Sequence, residues 1–160
     1  MKLHKGVGMS FYNNVVVALD LRKESKKIVE KAFSVLAEGG KVSLLHVAEP
    51  IETGLFSGAP FGAVIVDTSD IEQEAIKHKK EMLQKFAQKF SVADEDLHIK
   101  IGKPSREIKK FAEEQQSDLI VIGTHGQHGW ELLLGSTANG VLHGSPCDVL
   151  TVQMRIPNKS

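Results

Sequence analysis

Two apolar runs stand out along the chain, Asn14 to Leu19 and Leu119 to Ile122. Both are rich in β-branched residues and unbroken by polar positions, the mark of strands covered on both faces. Lys41 to Val47 and Val149 to Val152 are further strands, and Leu97 to Ile101 alternates Leu97, Ile99 and Ile101 with a wetter His98 and Lys100. Between these runs the apolar period lengthens to that of a helix. Ile28, Val29, Ala32, Phe33 and Leu36 share one face opposite Lys26, Lys27, Glu30 and Lys31, and Gly39-Gly40 is the expected stop. Ser69-x-x-Glu72 reads as a capping box opening a helix to about Phe90, with Ile71, Ala75, Met82, Phe86 and Phe90 as its buried stripe. Pro104 suits the first position of a helix that turns Ile108, Phe111 and Ala112 inward and ends near Ser117. Ser136 is the expected N-cap of a last helix through Val141-Leu142, with Gly144-Ser145-Pro146 as its stop. Strands interleaved with helices predict an α/β fold: a single doubly wound five-stranded parallel sheet with helices on both faces.

Other segments carry no sustained period. Residues 1–12 read as an N-terminal extension, 13–156 as one domain and 157–160 as a tail. Ala48 to Asp67 is long for a connection and mixes turn formers (Pro50, Gly54, Gly58, Pro60, Gly62) with apolar side chains. It reads equally as a flap over a pocket or as a loop packed on the domain or on a partner subunit.

Composition removes several classes of function. The chain has 160 residues, 41% hydrophobic and 25% charged, with Lys+Arg and Asp+Glu balanced at 20 each. Such a balance supplies no basic field for nucleic acid or an anionic membrane. A lone Cys147 cannot form an internal disulfide, and no stretch has the length of a membrane span or a signal-peptide core. A cytoplasmic protein is expected.

The chemistry concentrates after Ile122, where Gly123-Thr124-His125-Gly126 breaks the strand and Gly135-Ser136-Thr137 opens the next helix. Strand, glycine loop and helix start together present unpaired N–H groups to an anion, here a phosphate. In doubly wound sheets ligands bind beyond the carboxyl ends of strands where strand order reverses. Asp20 after the first strand and Val47 after the second converge on that end. There is no Walker lysine in the loop and no Gly-x-Gly-x-x-Gly after the first strand, so rapid phosphoryl transfer and dinucleotide redox chemistry are not expected. No catalytic residue is assigned. His125 and His128, with His143 on the following helix, lack the Cys or carboxylate that would complete a zinc set, so no metal site is assigned; His46 and His98 lie on strands elsewhere. Trp130 reads as a packing or interface residue and Cys147 as a packing thiol.

Val17-Ala18-Leu19-Asp20, Leu45-His46-Val47, Gly102-Lys103-Pro104 and Gly123-Thr124-His125-Gly126 with Gly135-Ser136 resemble the universal stress protein family over essentially the whole chain beyond the extension. The resemblance implies a Rossmann-like domain of adenine-nucleotide-binding type. Ala18, Asp20 and the backbone at Val47 would meet ribose and adenine. Ile122, Gly123, Thr124, His125 and Gly126 would flank the phosphates, and Gly135, Ser136 and Thr137 would contact them. It implies ATP, with Mg2+, as ligand, and a homodimer paired through Asp148 to Met154. The expected function is stress-response regulation by assembly and partner interaction, not catalysis. The alternatives are a nucleotide-free dimeric interaction protein of the same fold and, more weakly, a slow ATPase. Two departures from the family pattern are visible: the spacer Gln127 to Leu134 has eight residues, one short, and Arg22 stands where serine is common.

Overall fold

The computed structural model describes residues 11–50, 69–124 and 134–154. Its strands are β1 (Tyr12–Ala18), β2 (Leu36–Ala48), β3 (Leu97–Ile101), β4 (Leu119–Gly123) and β5 (Asp148–Val152). The helices are α1 (Ser25–Ser34), α2 (Ser69–Gln88), α3 (Pro104–Glu114) and α4 (Ser136–Leu142). All pairings are parallel, in the order β3-β2-β1-β4-β5. This is the expected five-stranded doubly wound sheet.

Strand alternation divides the core into two layers. Val15 and Val17 of β1, Leu44 of β2, and Leu119 and Val121 of β4 face α1 and α2, meeting Ile28, Val29, Ala32, Leu83 and Ala87. Val16, Ala18, Leu45, Ile120 and Ile122 face the other way, against Ile108, Phe111 and Ala112 of α3 and Ala138 and Val141 of α4. Val15, Val16 and Val17 are fully buried, which is why their run has no polar member.

Several boundaries and faces differ from the sequence pattern. The helical period runs on to Leu36, but α1 ends at Ser34, because Tyr12 N–H bonds Val35 O at 3.0 Å and Leu36 pairs with Tyr12. Gly39-Gly40 therefore does not stop a helix; it lies within β2, in an irregularity that separates the Tyr12–Leu36 pair from the Asn14–Lys41 pair. Gly39 takes φ +74°, which suits glycine there. On α2 the buried residues are Leu83 and Ala87, flanked by half-buried Met82, Phe86 and Phe90, while Ile71 is 60% exposed. Phe33 is likewise exposed at one edge, stacked on Phe90 with ring centroids 6.3 Å apart. On β3, Ile101 is exposed, and the polar His98 instead packs on Phe111 at 4.6 Å. The edge position of β3 explains both, since an edge strand is covered unevenly. α3 stops at Glu114, short of Ser117. Among the described residues no helix is long and apolar enough to cross a membrane.

Candidate functional site

β1 lies between β2 and β4, so the chain reaches one sheet edge at β3 and then returns to the opposite side of β1. The crossovers diverge at that point and open a crevice beyond the carboxyl ends of the strands. A cleft of about 190 Å³ occupies it. Ala18, Asp20, Val47, Ile122, Gly123, Thr124, Gly135, Ser136 and Thr137 all line it. His125 and Gly126, expected beside them, lie outside the described residues, as do His128 and Trp130. A wider chamber of about 530 Å³ adjoins the cleft, sharing Asp20, His46, Val47, Pro104, Ser136 and Thr137 and adding Arg22, Glu72 and Lys79. Small-molecule sites commonly span roughly 300–1,000 Å³.

The exit from β1 is held in a costly conformation. Leu21 takes φ +61°, the left-handed region that a side chain disfavours. Three contacts fix it. Leu21 itself is buried against the α1–α2 layer. Ser25, fully buried at the start of α1, donates from Oγ to Asp20 Oδ1 at 2.9 Å. Arg22 N–H reaches both Asp20 Oδ1, at 3.2 Å, and Ser25 Oγ, at 3.1 Å. The turn thus holds the Asp20 carboxylate at the cleft mouth. Its other oxygen, Oδ2, is taken by Arg22 Nε at 3.3 Å. The arginine that departs from the family pattern is therefore an ion-pair partner of the residue expected to meet ribose.

At the exit from β4, Thr124 acts as a clasp. Its N–H donates to Val152 O at 2.9 Å, its carbonyl accepts Gly135 N–H at 2.6 Å, and its Oγ1 accepts Met154 N–H at 3.3 Å. The end of β4, the start of α4 and the end of β5 are thereby tied together beside the cleft. Gly123 is closely packed: a Cβ there would stand 3.0 Å from Ile28 Cδ1 and 3.3 Å from Met154 Cγ, so both side chains would have to give way slightly. The N-cap of α4 is Gly135, not Ser136 as its residue type suggested; Ser136 is the first helical residue and makes no capping bond. Its hydroxyl stays available in the cleft wall.

His46, a strand residue apart from the histidines weighed as metal ligands, lines both the cleft and the chamber. It is 7% exposed, and its Nδ1 lies 2.8 Å from Leu19 O. Burial, helped by the Lys79 charge, lowers its pKa below 6.5, against the opposing pull of the Leu19 carbonyl and Asp20. The available sequence signal was its place one residue before Val47, at the strand end where ligands bind. Cys147, with Ser145 Oγ donating to its carbonyl, has its thiol pKa raised by burial, in keeping with a packing role. Among the described residues no group of three or more His, Cys, Asp and Glu is placed to hold a metal.

Strand order, helix layers and a crevice at the reversal define a doubly wound α/β protein with an open cleft at the sheet's carboxyl edge. The chain belongs to the universal stress protein family, whose sequence profile matches residues 11–153. It is 34% identical over 149 residues to universal stress protein A homolog 2 of Coxiella burnetii, covering 92% of this chain and 99% of that one. Among solved structures, the hypothetical protein MJ0577 superposes with a TM-score of 0.72 at 23% identity, over 91% of this chain and 99% of that one. A universal stress protein in complex with cAMP is 26% identical with a TM-score of 0.52, over 89% of this chain and 98% of that one.

Proposed function

We propose that this protein binds ATP in the switch-point cleft and acts as a stress-response regulator through dimerisation and partner interaction rather than turnover. The observation that carries the reading is the convergence of Asp20, Val47, Gly123 and Gly135 to Thr137, from four separate parts of the chain, on one crevice. Asp20 faces the ribose hydroxyls, the apolar walls at Ala18, Val47 and Ile122 take the base and sugar, and Ser136 and Thr137 meet the phosphates. Mg2+ arrives with the phosphates. A relative of comparable fold crystallised with cAMP supports an adenine nucleotide as the ligand class. One observation favours the nucleotide-free alternative: Arg22 already occupies Asp20 Oδ2.

Thermal unfolding tests the proposal. A ligand at about 1,000 times its Kd stabilises a fold by about 4 kcal/mol. Millimolar ATP with Mg2+ is therefore expected to raise the melting temperature clearly if Kd is micromolar, and Asp20→Ala to shrink the rise. No shift in the wild type, together with purified protein that releases no nucleotide on denaturation, sinks the reading.

A further inference from the structure

A titratable group lies sealed beneath the helix that walls one side of the cleft. Leu45 of β2 and His98 of β3 are register partners, and both turn toward α3. There the His98 ring packs on Phe111, with centroids 4.6 Å apart and planes tilted by 51°. Phe111 is buried, so the imidazole is part of the seat on which α3 rests. Its Nε2 is shut off from solvent and has no hydrogen-bond partner. The residue as a whole is only half-buried, since β3 is an edge strand among the described residues. The same helix bounds the cleft: Pro104 and Ile108 line it, and Ile108 lies one turn before Phe111. α3 also meets α4 closely at Ser105 and Gly140, and α4 supplies Ser136, Thr137 and Ala138 to the cleft lining. A shift of α3 therefore reaches both helical walls.

A proton changes what that seat must hold. Neutral imidazole has one N–H, whereas imidazolium has two, and both then need acceptors. Nε2 has none, and an unpaired buried charge is costly. The charges around the ring do not supply one. Lys41 of β2 and Lys100 of β3 oppose the proton, and Asp96, which favours it, is engaged by Lys41 at 2.9 Å. From α3, Glu114 is engaged by Lys100 at 3.9 Å and Lys110 at 3.8 Å. α2 lies across the sheet, against Leu97 and Ile99. Burial outweighs these charges and holds the ring neutral at and above its ordinary value of 6.5. Resting on the nucleotide reading above, we propose that His98 is a proton-operated seat for α3. The neutral ring holds α3 against the cleft; a protonated ring turns out to solvent at the sheet edge, α3 loosens and the cleft's hold on nucleotide falls. By linkage, a ligand that needs α3 in place resists protonation of His98.

Amide hydrogen exchange and ATP titration, each at about pH 7.5 and about pH 5, test this in the wild type and in His98→Phe. The variant keeps an apolar ring against Phe111 and cannot titrate. With intrinsic exchange rates corrected for pH, α3 of the wild type is expected to lose protection at least about fivefold at the lower pH, while β1 and β4 keep theirs. In His98→Phe, α3 is expected to stay protected at both. ATP affinity is expected to fall at least about threefold further in the wild type than in the variant. Comparing the two proteins removes the titration of ATP itself and of His46. Unchanged protection of α3 in the wild type overturns the inference, as does equal loss in both proteins. So does a loosened α3 with the same pH dependence of ATP affinity in both. If His98→Phe fails to fold, His98→Gln takes its place in the comparison. Failure of ATP to bind at the higher pH overturns the nucleotide reading instead, and the exchange data then decide the seat alone.

Discussion

At the scale of single residues, the turn after β1 shows how side chains far apart in character combine into one device. Asp20, Arg22 and Ser25 form a closed set of hydrogen bonds around the left-handed Leu21, and only Ser25 is fully buried. A carboxylate has about four lone-pair sites, and this one receives contacts from Ser25 and from both the N–H and the Nε of Arg22. A ribose hydroxyl approaching Oδ2 must share that oxygen with the Arg22 side chain. The ion pair is more than one-third exposed on each side, so its net worth is small, about 0.2–1 kcal/mol. Arg22→Ser is therefore expected to tighten ATP by up to about fivefold. Calorimetric titration checks this, and unchanged or weaker binding would show that Arg22 does not compete for Asp20. Asp20 was legible in the sequence as the residue beyond an apolar strand. Its ion pair was not, because nothing local says which way a long side chain folds back.

Among the elements, the contact of α3 with α4 sets the far wall of the cleft. Gly140 lies in the middle of α4, where glycine is a poor helix former. Close approach is the reason for it: a Cβ there would stand 2.7 Å from Ser105 Cβ and 2.9 Å from Ser105 Oγ. Gly140→Ala gains helix propensity but forces the helices apart, and such overpacking costs about 1–3 kcal/mol. The expected outcome is a lowered midpoint in chemical denaturation, partly restored by adding Ser105→Gly. A stabilised single variant would rule out the close approach. The period of α4 was visible from Val141-Leu142, whereas its true cap was not. Gly135 holds that place because its N–H is tied to Thr124 O, a contact made across the cleft entrance. The extent of β2 was hidden for a similar reason, since Leu36 fits a helical stripe equally well until Tyr12 pairs with it.

Across the whole molecule, a buried histidine, His46, and a half-buried one, His98, tie stability to pH. Burial lowers the pKa of His46 and of His98, the latter having an unpartnered Nε2 beside Phe111. In the unfolded chain both take up a proton near the ordinary value of 6.5, whereas the folded forms resist until lower pH. Stability is thus fully present above 6.5 and is lost as pH falls through the lowered folded values. The melting temperature is expected to drop as the pH falls below about 6.5, with a shallower drop in His98→Gln. A flat profile in the wild type would refute the account. Among the described residues β5 is an edge strand, pairing only with β4, and Val149, Leu150 and Val152 along it are half-buried. An apolar edge calls for cover. We expect a homodimer through Asp148 to Met154, which Val152→Asp disrupts. A monomer by light scattering at micromolar concentration would dispose of that expectation.

By itself the sequence determined the class of fold and the end of the sheet where the cleft opens. Buried strands and amphipathic helices are written as local periods, and a glycine break after a β-branched run marks a strand's carboxyl end wherever the strand finally lies. The tertiary structure alone decided what faces what. Strand order put β1 between β2 and β4 and so brought Asp20, Val47 and Gly135 to one crevice. The same order turned His46 from a strand residue into part of that crevice's floor, through a bond to Leu19 O. Contacts between remote residues leave no period in the chain, so they become visible only when the strands are laid side by side.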